Sequence, residues 1–240
     1  MKIIDIHTHI LSNIDDGSQS LKESVQMIQS SVNQGCTDIF LTPHSEYILE
    51  KGIIYTKKQI IELKKEIIKY NIPINIFEGS EIYIEKKIIN FIIEKIKNGD
   101  ILTMNHTKFI LIEFSPYLID FEEILFCINF LLKNQWCPII AHIERLNPLI
   151  RTKENIIKLK KMGCKIQVNY YTLVKENDLK MKYFARELIQ NRIVDFLGSD
   201  SHGIYYRSPD IKSGIEYIQN YCDKNYADNI IWKNAQKYLL

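Results

Sequence analysis

The chain has 240 residues, 46% of them apolar, enough to bury a sizeable core within one α/β domain. Its 31 lysines and arginines nearly balance 29 aspartates and glutamates, which excludes a composition-level case for nucleic acid or an acidic surface as partner. Five cysteines, Cys36, Cys127, Cys137, Cys164 and Cys222, form an odd set without a CxxC pair and read as reduced thiols of a cytoplasmic protein.

At the amino terminus the apolar run is broken by Asp5, His7 and His9, unlike a secretory signal, and no later stretch reaches the roughly eighteen uninterrupted apolar residues of a spanning helix. A first strand is expected over Ile3–Ile6, then a helix over Leu21–Asn33. Strand Asp38–Leu41 precedes helix Lys57–Tyr70, strand Ile74–Glu78 precedes helix Lys86–Lys97, and strand Phe109–Glu113 precedes helix Phe121–Lys133. The pattern continues with strand Cys137–Ala141 and helix Lys153–Met162, strand Lys165–Val168 and helix Leu179–Gln190, and strand Val194–Leu197 and helix Ile211–Tyr221. Gly35, Gly99 and Gly163 follow helical segments, where a left-handed cap is expected. Seven strand–helix repeats without a linker predict a single domain over residues 1–240, a βα barrel or a doubly wound sheet, because parallel strands need crossover helices to return.

In such folds chemistry collects at the carboxyl ends of the strands. Asp5-Ile6-His7-Thr8-His9 and Asp15-Asp16-Gly17 follow the first strand, and Thr42-Pro43-His44 the second. Gly79-Ser80-Glu81 follows the third, Glu113 closes the fourth, Ala141-His142-Ile143-Glu144-Arg145 follows the fifth, and Ser199-Asp200-Ser201-His202 the seventh. Five of the six histidines fall at these places and only His106 does not. His-x-His on an extended strand points both imidazoles to one face. Alone that pair signals little; with Asp200 and His202 it points to metal. Imidazoles and carboxylates without a thiolate suit manganese, iron or zinc. Paired cations about 3.5–4 Å apart acidify a bridging water and neutralise charge on a transferred phosphoryl group. A cysteine-dependent phosphatase needs an arginine six positions after its cysteine; those positions hold Thr42, Lys133, Ile143, Tyr170 and Asp228. Neither a GxxxxGK[ST] loop nor a GxGxxG turn is present.

On these motifs, in order and through nearly the whole length, the chain resembles the PHP family of polymerase and histidinol phosphatase domains, most closely the bacterial CpsB/YwqE-type protein-tyrosine phosphatases. The resemblance implies a distorted (β/α)7 TIM-like barrel with two or three metal ions, usually manganese, with iron or zinc as alternatives. It implies that His7, His9, Glu81 and Asp200 hold one metal, Glu81, Glu113 and His142 a second, and Asp16, His44 and His202 a third. A hydroxide between metals would attack phosphorus, with Arg145 and Arg207 on the phosphate oxygens; the loop Tyr205-Tyr206-Arg207-Ser208-Pro209 matches the family pattern only loosely. The implied substrate is a phosphotyrosine protein, the tail of a membrane-associated bacterial tyrosine kinase that controls capsule or exopolysaccharide synthesis. Alternatives are hydrolysis of a small phosphate monoester such as histidinol phosphate, and a non-catalytic, metal-stabilised binding module. An amidohydrolase would want a bridging lysine at a strand end, and none is found.

Plainer roles are expected elsewhere. Asp15 reads as a turn former, Glu144 as a structural ion pair or helix start, and His106 as a surface residue. Tyr170-Tyr171 and Tyr205-Tyr206 either pack or border a substrate cleft.

Overall fold

The computed structural model describes residues 2–117, 120–147 and 151–240. Eight short strands alternate with helices: β1 Ile4–Asp5, β2 Asp38–Leu41, β3 Asn75–Glu78, β4 Glu81–Tyr83, β5 Phe109–Glu113, β6 Cys137–Ile140, β7 Lys165–Asn169 and β8 Phe196–Gly198. All pair in parallel, in two sheets of order β1-β2-β3 and β4-β5-β6-β7-β8. The expected third strand is β3, and β4 is an additional strand that follows it directly after Gly79-Ser80, with no helix between, and belongs to the other sheet. A Cβ on Gly79 would lie 3.0 Å from Met104 Sδ and 3.2 Å from Thr42 Cγ2, so the chain passes there between two close neighbours.

The two sheets do not form one continuous hydrogen-bonded cylinder among the described residues. They meet at two isolated bridges, His44 with Glu81 and Thr8 with Ser201. At one seam Glu81 N donates to Pro43 O (3.1 Å); at the other His9 N donates to Ser201 O and Asp200 N to His7 O (2.9 and 2.8 Å). Both seams thus run through residues with chemistry-bearing side chains. Gly198 is required at the second, since a Cβ there would sit 2.6 Å from the Cβ of His7.

Period-2 alternation explains the core. Ile4, Ile6, Phe40, Phe109, Leu111, Ile139, Ala141 and Phe196 point to one side and form an inner cluster. Ile39, Leu41, Ile110, Ile112, Ile140, Ile166 and Leu197 point to the other and pack beneath the helices. Strands buried on both faces read as continuous apolar runs, as parallel strands do. The helices are α1 Leu21–Asn33, α2 Ser45–Lys51, α3 Ile53–Lys69, α4 Ile89–Lys97, α5 Phe121–Lys133, α6 Lys153–Met162, α7 Leu179–Gln190 and α8 Ile211–Tyr221. Thus α3 starts earlier than expected, and α4 later. Ser20, Asp120, Thr152 and Asp178 cap their helices by accepting a backbone N–H three residues on. Gly35, Gly99 and Gly163 take positive φ, as read from the sequence.

A carboxyl-terminal run not expected from the sequence, α9 Lys224–Asp228, a π-helical turn Asn229–Lys233 and α10 Asn234–Tyr238, packs against the inner cluster. Ala235 and Leu239 join that cluster, and the Tyr238 ring lies 5.6 Å from Phe109 at the start of β5. All five cysteines are free, Cys36, Cys127 and Cys164 being buried. Burial pushes the Cys127 and Cys164 thiols up to about 12, which makes them inert packing groups.

Candidate metal centre

The carboxyl ends of the strands bring all nine expected ligands together. Glu81, the first residue of β4, stands at the middle. Its Oε2 lies 3.1 Å from Nε2 of both His7 and His9 and 3.3 Å from His44 Nδ1, while its Oε1 lies 2.7 Å from His142 Nε2. Asp200 Oδ1 is 3.7 and 3.5 Å from Nε2 of His7 and His9. Glu113 Oε1 is 3.2 Å from His44 Nδ1 and its Oε2 3.7 Å from His142 Nε2. Asp16 Oδ1 completes the other edge, 3.4 Å from His202 Nε2 and 3.6 Å from His44 Nε2.

Three groups have ligand atoms within 4.8 Å of one another: His7, His9, Glu81 and Asp200; His9, Asp16, His44 and His202; and His44, Glu81 and Glu113. The first reproduces the first expected set. His9 joins the Asp16, His44 and His202 set, and His44 stands with the Glu81 and Glu113 set, where His142 also touches both carboxylates. Burial favours the neutral acid at Glu81, but the charges of His7 and His142 hold its carboxyl well below the usual range. Burial likewise opposes ionisation of Asp200, and the charges of Arg145, His7 and Arg207 override it. Burial pulls the His44 imidazole down, yet its contacts with Glu113 and Glu81 raise it to about 9. The site fits divalent cations by an observation of its own: His44 Nδ1 and Asp200 Oδ1 are buried at ion-pair distance from neighbours, but neither has a hydrogen bond. Imidazole and carboxylate donors in this arrangement match a hard or borderline metal.

Groups behind the ligands orient them. His9 Nδ1 donates to Asp15 Oδ2 at 2.6 Å, leaving Nε2 for the cluster. Asp15 also accepts from Gly17 N and His44 N at 3.0 Å, so it is more than the turn former expected. Gln167 Oε1 accepts from His7 Nδ1 (3.3 Å) and His142 N (2.7 Å). Gln167 Nε2 donates to Asn169 Oδ1, and Asn169 Nδ2 to Asp200 Oδ2. The sequence reading missed this amide chain, whose signal was Gln167 and Asn169, two amides two residues apart on one face of the strand. Glu144 makes no ion pair among the described residues: it is fully buried and accepts from Asn169 N at 3.0 Å, within the single 3-10 turn Ile143–Arg145. His106 lies at the surface outside the cluster, as expected.

Both arginines reach the site. Arg145 Nη2 lies 2.5 Å from Asp200 Oδ2 and donates to the Tyr171 hydroxyl at 2.6 Å; Arg207 Nη2 lies 2.6 Å from Asp200 Oδ1. His142, Asp200 and Arg207 adopt positive φ of 27°, 53° and 48°, three of the nine described non-glycine residues in left-handed backbone. Beside them opens a cleft of about 680 Å³ lined by Arg145, Tyr171, Lys175, Tyr206 and Arg207 among others. Tyr171 and Tyr206 therefore border the cleft, whereas Tyr170 is fully buried packing.

A parallel α/β frame that delivers imidazoles and carboxylates from both sheets to one buried cluster, with arginines at its rim, is that of a metal-dependent hydrolase. The chain belongs to the CpsB/CapC family of capsular polysaccharide synthesis, whose sequence model matches residues 3–240. It is 33% identical to the tyrosine-protein phosphatase CpsB of Streptococcus agalactiae over 247 residues, covering 99% of this chain and 98% of that protein. It is 29% identical to the tyrosine-protein phosphatase YwqE of Bacillus subtilis, covering 86% and 80%. A solved structure from a study of Bacillus subtilis YwqE and Streptococcus pneumoniae CpsB, described as unique metal-dependent tyrosine phosphatases, superposes with TM-score 0.82 at 26% identity over 99% of this chain and 94% of that one. Histidinol phosphate phosphatase of Lactococcus lactis, bound to zinc, histidinol and phosphate, shares the fold at TM-score 0.57 and 16% identity, over 92% and 94%.

Proposed function

We propose that this protein hydrolyses phosphotyrosine in proteins at the Glu81-centred cluster, with manganese as the working cation and iron or zinc as substitutes. The observation that carries the reading is the placement of Arg145 and Arg207, one on each oxygen of Asp200, at the wall of the large cleft. Two guanidinium forks beside a metal-ligand carboxylate suit a phosphate group entering from that side. His7, His9, Glu81 and Asp200 would hold one cation, Glu81, Glu113 and His142 a second, and Asp16, His44 and His202 a third. Bound cations supply a hydroxide nucleophile at neutral pH and neutralise developing phosphoryl charge. Asp15 and Gln167 fix the His9 and His7 rings so that Nε2 faces the cluster, and Tyr171 steadies Arg145 by its hydroxyl. The cleft between Tyr171 and Tyr206 is roomy and partly aromatic, which suits an aryl ester on a flexible peptide.

The substrate we infer is the tyrosine-bearing tail of a membrane-associated bacterial kinase controlling capsule or exopolysaccharide synthesis, met in the cytoplasm. The family's description and the relatives named tyrosine-protein phosphatase support this reading. We read the two sheets, joined at both seams, as one distorted (β/α)7 barrel in a single domain over 1–240. The competing substrate, histidinol phosphate, has only a shared fold behind it.

The test is phosphate release from a phosphotyrosine peptide and from histidinol phosphate by chelator-stripped protein, before and after adding manganese, with a His7→Ala/His9→Ala variant alongside. Metal-restored turnover of the peptide, absent in the variant, is expected. Turnover of histidinol phosphate alone would replace the substrate assignment, and turnover of neither despite bound metal would leave a binding module.

A further inference from the structure

Away from the site, α3 presents an outward face that the fold does not use. Thr56, Ile60, Leu63 and Ile67 form its buried stripe. On the opposite side Ile54, Ile61 and Ile68 recur every seven residues and are 84%, 53% and 75% exposed. At 3.6 residues per turn these three lie within about 40° of one another around the helix, and at 1.5 Å per residue they span about 21 Å. Such an aligned row differs from isolated surface apolar residues, which need no explanation. Lys57, Lys58, Lys64, Lys65 and Lys69 flank the row, all exposed. The helix carries five lysines against two glutamates, in a chain whose whole formal charge is only +2. Lys65 and Lys69 are paired with Glu62 and Glu66, and Lys64 reaches Glu78 at 3.9 Å. Among the described residues Lys57 and Lys58 make no ion pair.

Charge decides what can cover this row. In an antiparallel two-fold pairing of the helix with a second copy, centred on Ile61, Ile54 would meet Ile68, but Lys58 would face Lys64 and Lys57 would face Lys65. Both of these lysine–lysine contacts would be like-charge pairs, with no opposite-charge pair to offset them in that register, which disfavours self-association. A surface of dense negative charge with an apolar layer just beneath satisfies both components at once: lysines pair with anionic headgroups while the isoleucines enter the headgroup–acyl boundary. No helix of the described residues is long and apolar enough to cross a membrane, so the contact is peripheral.

We propose that the outer face of α3 is a docking surface for anionic phospholipid bilayers, with Ile54, Ile61 and Ile68 as the inserting groups and the flanking lysines as the electrostatic contact. The surface is separate from the metal centre, and the inference stands whether or not the substrate is a phosphotyrosine protein.

The test is co-sedimentation of the full chain with vesicles of phosphatidylglycerol and phosphatidylcholine, and with vesicles of phosphatidylcholine alone, at low and high salt. Binding to the anionic vesicles, at least about tenfold stronger than to neutral ones and weakened by salt, is expected. An Ile54→Ser/Ile61→Ser/Ile68→Ser variant should lose about tenfold in binding while keeping its circular dichroism spectrum, and a Lys57→Glu/Lys58→Glu variant should lose salt-sensitive binding. Equal partition to both vesicle types, binding unchanged in folded variants, or a parent dimer that the isoleucine substitutions dissolve would overturn the proposal.

Discussion

Two aspartates five residues apart, at opposite ends of β8, follow opposite rules. Asp195, just before the strand, is neutralised locally: its Oδ2 accepts from Lys160 Nζ at 2.7 Å and from Ile166 N at 3.0 Å, and Lys165 Nζ stands 3.7 Å from Oδ1. Asp200, just after it, is almost fully buried in left-handed backbone, between two arginines and three imidazoles, with one oxygen lacking any hydrogen bond. At the amino end, buried charge is cancelled pair by pair and serves the fold. At the carboxyl end, charged and titratable groups are crowded beyond what pairing requires, as a site that binds cations and an anionic ester demands.

Substitutions at the two aspartates' surroundings should therefore separate chemistry from stability. Asp200→Asn removes a charge from the cluster while keeping its shape, and manganese-dependent phosphate release should fall by about a thousandfold or more, since metal assistance is worth several kcal/mol. Lys160→Met should leave that rate unchanged per folded molecule and lower unfolding free energy by about 1–3 kcal/mol, the cost of taking one charged donor from a mostly buried carboxylate that keeps only Ile166 N and the more distant Lys165. Denaturant melts beside initial rates give both readouts. A rate loss in Lys160→Met as large as in Asp200→Asn would dissolve the distinction between the two ends.

The next effect is smaller and concerns groups that touch no substrate. Asp15→Asn keeps a carbonyl for the backbone donors but weakens the charge-assisted bond to His9 Nδ1, so manganese affinity should drop about 10–100-fold, read by metal titration. A variant that binds metal as tightly as the parent would return Asp15 to the turn-forming role its sequence suggested.

Asp15 also marks where the sequence stopped being legible. Most of the candidate ligands could be picked out because they fall just past an apolar run, and strand ends are visible in one dimension; Asp16, in the loop beyond His9, and the grouping of the set came from the family resemblance. The supports could not: Asp15 acts through a fold-back onto His9, and Gln167 lies inside a strand whose partners, His7 and His142, come from distant segments. The extra strand β4 beyond Gly79 depends on a close passage of the chain by Met104, and the carboxyl-terminal helices matter for the inner cluster they cover. Local chemistry shows in the sequence; contacts between distant segments do not.

The mildest test concerns pH. His44, His9 and His142 all have their imidazole pKa raised, because neighbouring carboxylates outweigh the burial that opposes charge. A group raised in the folded state stabilises fully below its ordinary value, near 6.5, and that contribution is lost as pH rises through the folded value, about 9 for His44. His202 is shifted the other way, by burial and the charge of His9, and Asp5 is raised only to about 6 by burial, so both act below this window. Metal-free protein should thus lose melting temperature between pH 6.5 and 9, at about 2–4 °C per kcal/mol for a chain of this size. Manganese-loaded protein should show a flatter curve, because ligating imidazoles are already neutral and have no proton to release. Amino-end groups such as Lys160 and Asp195 are common to both forms. Parallel melting curves for the two forms would mean that the histidine cluster does not set the slope, and that the carboxyl end stores less electrostatic tension than its geometry implies.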